Sequence, residues 1–247
     1  MTNEELLKRA EDLAERCERT GSVTSTAFLT PAEQYALRSF RPRGNVSMLL
    51  HGGVPGAERE CAFFLPDWME EEYFDPAETI RCVRVTAYFG APGHRDYLGA
   101  LLGMGVGREW IGDILIQDST AHVLCLKSVE AHLLTMEKVG RCGVKTAAVP
   151  LAEIPAPERK VRPVSFTVQS PRLDAVLSGL FHLSRTQAAE RVRAGEASLN
   201  YAECLRPDAE IRPGDVLSLR GHGKAAVTEI GGQSRKGRVY VTGEVFV

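Results

Sequence analysis

Five short stretches and one asparagine in the last third of the chain decide its fold. They are Arg172-Leu-Asp-Ala-Val-Leu177, Leu183-Ser-Arg-Thr-Gln-Ala188, Arg193-Ala-Gly195, Asn200, Arg212-Pro-Gly-Asp-Val216 and Leu219-Arg-Gly-His-Gly-Lys224. Their pattern predicts two short helices followed by a small sheet. Ser184, with Gln187 three residues on, makes a capping box that opens the second helix. Gly195 closes that helix, since glycine accepts the left-handed backbone of a helix end. Pro213-Gly214-Asp215 predicts a tight turn before a strand over 216–219. A helix N-terminus carrying Ser184 and Thr186 suits phosphate oxygens. Arg172 and Arg185 would add charge-assisted, bidentate contacts. The plainer reading of such arginines is a solvated helix face.

Working outward, charge agrees with that reading more than composition does. The 247 residues carry a net charge of −2. Yet residues 159–247 hold 14 Lys/Arg against 9 Asp/Glu, while 1–158 hold 16 against 23. The tail adds Lys224, Arg235, Lys236 and Arg238, expected on two adjacent turns that suit a phosphate backbone. A solubilising hairpin is the bland alternative for that group. The six cysteines show no CxxC spacing, so free thiols are expected and no metal or other cofactor. No apolar run reaches the roughly 20 residues of a membrane span. The charged, amphipathic start is no secretory signal, so a cytoplasmic protein is expected. Nothing in the sequence calls for more than a monomer.

The rest of the chain reads as α+β. Apolar residues at three-four spacing predict a helix over 3–19. Thr30-Pro31-Ala32-Glu33 opens a second. Val46–Leu50 and Cys61–Leu65 predict two buried strands, and breakers over 66–78 suggest a boundary. Thr79–Phe89, His94–Met104, Trp110–Gln117, Ala121–Lys127, Ser128–Val139 and Val144–Leu151 alternate as β-α-β-β-α-β, the ferredoxin-like plan. Ser128 is expected to cap the second of those helices. Four prolines over 150–163 predict a stiff linker. The expected domains are 1–75, an N-terminal α+β domain, 76–155, a ferredoxin-like domain, and 164–247. His94 and Arg95, at a helix start in the middle domain, form a second candidate RNA site. His94 as a simple cap is the alternative. The strand over 121–127 lacks the stacking aromatics of an RNA-recognition sheet.

The C-terminal stretches closely resemble the S4 RNA-binding domain, over roughly 172–220. That family shows an RLD start, an SRxxA second helix, a terminal Gly, a VxVN strand and a PGD turn. Here the strand reads Ala197-Ser-Leu-Asn200, and Tyr201 stands where many members have Gly. The resemblance implies RNA contacts from Arg172, Ser184, Arg185, Thr186 and Gln187, with Arg191 and Arg193 on the same helix. Arg185, Arg191 and Arg193 are expected on different faces, so at most two reach one ligand together. Most of the chain is also similar to the bacterial YlmH-type proteins. The resemblance rests on Gly52-Gly-x-x-Gly-Ala-Glu-Arg59, Gly93-His-Arg-Asp-Tyr-Leu-Gly-Ala100, Arg108-Glu-Trp-Ile-Gly-Asp-Ile-Leu115, Arg220-Gly-x-Gly-Lys224 and Arg235-Lys-Gly-Arg238. Such proteins are often encoded near cell-division genes. Membership implies binding of rRNA and tRNA on the large ribosomal subunit, in ribosome-associated quality control of translation. There, relatives hold the tRNA of a stalled nascent chain, beside a nascent-chain quality-control factor.

S4 domains also occur in pseudouridine synthases and RNA methyltransferases, and a cell-division adaptor using the domain as a tether is a further alternative. An enzyme needs a catalytic site elsewhere in the chain. His51-Gly-Gly-Val-Pro-Gly lacks the Lys-Ser/Thr of a phosphate loop. Gly103-Met-Gly-Val-Gly107 follows a helix, not a strand. The expected function is therefore non-catalytic RNA binding.

Overall fold

The computed structural model describes residues 2–155 and 160–246. The chain divides into two compact units, Met1–Pro157 and Glu158–Val247.

The first unit opens with α1 (Asn3–Thr20), where Thr2 and Glu5 form a capping box. Its apolar stripe, Leu6, Ala10, Ala14 and Cys17, packs on Leu29, Leu37, Ala62 and Phe64. Next come β1 (Thr24–Ser25), α2 (Pro31–Leu37), β2 (Val46–His51) and β3 (Cys61–Pro66). The three strands form an antiparallel sheet in the order β1-β3-β2. The central strand β3 is buried throughout. Ala62 and Phe64 face the α1 side, while Cys61, Phe63 and Leu65 pack with Ile80, Cys82 and Leu124. Burial on both faces explains an apolar run without alternation.

A five-stranded sheet follows: β4 (Ile80–Ala87), α3 (His94–Gly103), β5 (Ile111–Gln117), β6 (Thr120–Leu126), α4 (Lys127–Leu133), β7 (Lys138–Val139) and β8 (Cys142–Val149). The strand order is β5-β6-β4-β8-β7, antiparallel throughout. Apart from the short β7, the element order is the β-α-β-β-α-β read from the sequence. Helices α3 and α4 cover one face, with Tyr97, Leu101, Val129 and Leu133 packed on Val83, Val85 and Val123. The three-stranded sheet covers part of the other face. The segments expected as domains 1–75 and 76–155 thus share buried side chains within one unit.

Two stretches that carry the family resemblance meet in this unit. The Asp113 carboxylate accepts the Glu58 and Arg59 backbone N–H groups at 2.6 and 3.0 Å. Arg59 in turn donates to the carbonyls of Ile111 and Phe28. Gly52 lets the chain close there, since a Cβ would lie 2.5 Å from the Arg59 carbonyl oxygen.

Local boundaries differ from expectation in the second half of the sheet. Leu126, not Ser128, precedes the first turn of α4, with no side-chain cap. The helix ends at Leu133, and Lys138–Val139, expected in it, instead pair with Cys142 and Gly143 as a hairpin around Gly140, at φ 58°. The last strand accordingly starts at Cys142.

The second unit contains β9 (Val161–Val168), α5 (Leu173–Phe181), α6 (Arg185–Arg193), β10 (Ala197–Leu199), β11 (Ala202–Glu203), β12 (Val216–Leu219), β13 (Gly223–Gln233) and β14 (Val239–Phe246). The strands form one antiparallel sheet, ordered β11-β10-β12-β13-β14-β9. Leu173, Val176, Leu177 and Leu180 of α5, with Ala188 and Val192 of α6, pack onto Leu217, Leu219, Ala225 and Val241. The linker expected over 150–163 is shorter than read. Residues 151–153 form a 3-10 turn and 161–163 belong to β9, paired with β14. Residues 156–159 of that expected linker lie outside the described residues. The domain expected from 164 therefore includes Val161–Pro163 as well.

Candidate nucleic-acid interface

The second unit brings the starts of α5 and α6 together around one acid. Asp174, in the first turn of α5, is 6% exposed. Its Oδ2 accepts from Arg185 Nε at 2.9 Å, and its Oδ1 lies 3.8 Å from Arg172 Nε. The Ala175 backbone N–H also donates to Oδ1, at 2.8 Å. Arg172 precedes α5 in extended backbone and Arg185 is the first residue of α6. Both guanidinium-bearing side chains stay about half exposed, at 43% and 51%. One carboxylate balances one positive charge, so the cluster keeps a net positive charge. Both Nε groups face Asp174. The guanidinium fork offers five donors in a plane, so the terminal nitrogens are left for an acceptor outside the protein.

The N-terminus of α6 is built as the sequence predicts. Ser184 Oγ accepts the Gln187 N–H at 3.2 Å, and Gln187 Oε1 accepts the Ser184 N–H at 3.1 Å. That reciprocal pair satisfies both residues' backbone donors. The open amides of the first turn are therefore those of Arg185 and Thr186. Ser184, Arg185, Thr186 and Gln187 are all exposed. The Ser184 hydroxyl keeps its own proton to donate.

The remaining sequence-predicted positions divide by what holds them. Arg191 is already engaged, pairing with Glu196 at 3.3 Å and donating to the Arg220 carbonyl at 3.1 Å. Arg193 is exposed and makes no ion pair among the described residues. Lys224 does not sit on a turn adjacent to Arg235, Lys236 and Arg238. It lies near the start of β13, its ammonium 5.3 Å from the Tyr201 ring and 5.2 Å from the Phe246 ring. Arg235 and Lys236 occupy the turn at the other end of that strand, roughly 30 Å away along an extended chain. Arg238 donates to the Thr167 carbonyl and so ties the hairpin to β9.

In the first unit, His94 and Arg95 are exposed at the start of α3. His94 is not the cap. Gly93 holds that position, and its N–H donates to Asp96 Oδ2 at 2.8 Å. The Asp96 side chain thus supplies the return half of a capping box, satisfying the amide of the cap residue itself.

The sequence motifs also prove to be linked. Asn200 donates to Asp215 at 2.8 Å and accepts the Val216 N–H at 2.9 Å, joining the end of β10 to the PGD turn. Asn200 and Tyr201 take left-handed backbone, φ 52° and 67°, which explains why Gly suits the second of these positions. The organising role of Asp174 was missed by residue matching. Its signal was an acid in an apolar run, Leu173-Asp174-Ala175-Val176-Leu177, where burial demands a cationic partner.

Among the described residues, no group of three or more His, Cys, Asp or Glu is placed to hold a metal ion. Among them too, no helix is long and apolar enough to cross a membrane.

The comparisons with known proteins agree in outline. Residues 2–63 match the family described as "YlmH, N-terminal", and residues 78–153 match "Putative RNA-binding domain in YlmH". A Bacillus subtilis protein named "Ribosome-associated protein quality control protein P2" is 30% identical over 220 residues, covering 89% of this chain and 86% of the relative. A solved structure named "Cell division protein ylmH from Streptococcus pneumoniae" superposes with a TM-score of 0.51. It is 18% identical, covering 61% of this chain and 93% of that one, and supports the fold alone. The mixed α+β architecture, the two domain matches and the likeness across most of the Bacillus relative together place the chain in the YlmH family.

Proposed function

We propose that the second unit is an S4-type RNA-binding domain. Its α5–α6 surface grips rRNA and tRNA on the large ribosomal subunit, in ribosome-associated quality control of stalled nascent chains. The observation that carries the reading is the Arg172–Asp174–Arg185 cluster. A buried carboxylate aims two half-exposed guanidiniums beside the open amides of Arg185 and Thr186. Planar guanidiniums next to a helix N-terminus match the charge and geometry of phosphate oxygens. The name of the Bacillus relative supports the ribosomal setting, and the description of the 78–153 match supports RNA as ligand. The protein acts by binding rather than by catalysis. Its partners are rRNA, tRNA and a nascent-chain quality-control factor, in the cytoplasm. Arg193, exposed near the end of α6, and the Arg235–Lys236 turn extend the contact. Arg191 serves structure first, through Glu196.

Co-sedimentation with isolated large ribosomal subunits tests the proposal. The full chain is expected in the pellet, and Arg172→Ala with Arg185→Ala is expected in the supernatant. A double variant that pellets like the wild type would remove the cluster from the interface.

A further inference from the structure

The first unit carries a second basic surface, on the five-stranded sheet. Strand residues two apart share a face. Arg84 and Thr86 of β4 therefore run on to Tyr88, just past its end. Arg84 lies directly opposite His122 on β6, and Thr86 lies opposite Thr120 on β6 and Lys145 on β8. The Ile80–Cys82 half of the same face is buried under the three-stranded sheet. The other half borders a shallow cavity of about 550 Å³ whose one carboxylate is Asp118. Arg84 and Lys145 are exposed, and Tyr88 is 71% exposed.

Two features of this face suit an anionic ligand. Arg84 on β4 and Lys145 on β8 sit diagonally on neighbouring strands, so they form one positive patch. Neither Arg84 nor Lys145 makes an ion pair among the described residues. On β6, opposite Arg84 and across β4 from Lys145, His122 Nδ1 is buried with no hydrogen-bond partner. Burial first, and the Arg84 charge second, hold that imidazole below its ordinary pKa. A phosphate oxygen beside Arg84 would offset the charge, and its ester backbone could follow the sheet to Lys145. The Tyr88 ring lies against Gly143, where an added Cβ would come within 3.2 Å of it. An exposed ring at the end of the row that carries these cations matches a base attached to that backbone, a combination an acidic peptide lacks.

We propose that this open face binds single-stranded RNA, with Arg84 and Lys145 on phosphates, Thr86 and Thr120 as hydroxyl partners, and Tyr88 stacking a base. The site is separate from the helix-pair surface of the second unit, and either assignment can fail alone.

Fluorescence anisotropy of the full chain with a fluorescein-labelled, mixed-sequence 16-nucleotide single-stranded RNA tests the proposal. Arg84→Glu with Lys145→Glu is expected to weaken binding at least tenfold. It should also make the slope of log affinity against log salt shallower by about 1.4, the contribution of two single-strand phosphate contacts. Tyr88→Ala is expected to cost about fivefold or more and leave the slope unchanged, as for a lost stack. Thermal melting of the charge-reversed variant is expected to stay close to wild type, because both positions are exposed. Should it fail to fold, Arg84→Gln with Lys145→Gln carries the same test, with about a fivefold loss expected. Unchanged affinity and slope in a folded variant would overturn the proposal. If Arg172→Ala with Arg185→Ala abolishes binding while the sheet variants bind as wild type, the sheet site falls and the helix-pair reading stands. Equal, Arg84-dependent binding of a polyglutamate peptide would also overturn it, since the face would then select acidic chains in general.

Discussion

Asp174 is the one buried carboxylate among the described residues, and its surroundings explain it. Arg185 Nε and the Ala175 amide hydrogen-bond its oxygens, and the Arg172 guanidinium stands nearby with Nε 3.8 Å away, so two cations compensate its charge. Removing it would leave two guanidiniums facing one another. Asp174→Ala is expected to lower unfolding free energy by about 2 kcal/mol, the scale for stripping the partner from charged, part-buried groups. Urea denaturation followed by circular dichroism would measure this, and a loss below a few tenths of a kcal/mol would show that the cluster is not organised by the acid. The arginines and the capping box were legible from spacing alone. Their convergence was not, because it depends on how α5 and α6 cross.

His51 makes a second prediction at this scale. Its Nδ1 accepts the Gly53 N–H at 2.9 Å, so the bond requires a neutral ring. Burial pushes the His51 pKa below its ordinary value. The unfolded chain therefore binds this proton more tightly than the folded one. The contribution to stability is complete above the ordinary value near 6.5 and is lost as pH falls through the lower folded value. His51→Gln keeps an acceptor and removes the titration. Between pH 7 and pH 5 its melting temperature is expected to fall less than that of the wild type. Parallel melting curves against pH would exclude this role.

At the scale of elements, β9 shows where sequence reading stops. Val161-Arg-Pro163 ends a proline-rich run, so it reads as linker, yet it begins the strand that continues to Val168. The structure accepts Pro163 because β9 is an edge strand, with one side free of ladder bonds. What anchors the strand is distant in sequence: Phe166 seats against Gly179 of α5, where a Cβ would come within 2.3 Å of the ring. Gly179→Ala trades better helix propensity against this clash. The clash should win, at a net cost of about 1–3 kcal/mol, read by chemical denaturation. A stabilised variant would mean that β9 moves aside freely. The capped helices α1, α2 and α6 were read well because their signals are local. The placement of Lys224 was not, because the length of β13 is set by its pairing with β14 rather than by any turn residue.

Across the whole molecule, pattern recognised the α+β class and the βαββαβ order, while packing joins segments that pattern separates. Breakers over 66–78 separate two sheets, yet Phe63 and Leu65 pack with Ile80 and Cys82 across them. Periodicity reports that a face is buried and is silent about which element buries it. The same holds for Arg84 and Lys145, whose outward row becomes visible only once β4 and β8 are paired in register. The net charge of −2 says little about RNA, since what matters is where unbalanced arginines gather.

The most direct test of the central claim is the affinity of the full chain for isolated large ribosomal subunits, measured across a salt series for wild type and for Arg172→Ala with Arg185→Ala. If the two guanidiniums meet phosphates, the double variant binds more weakly and its slope of log affinity against log salt is shallower by about 1.8, two duplex phosphate contacts. Equal affinity and equal slope for the two proteins would contradict it.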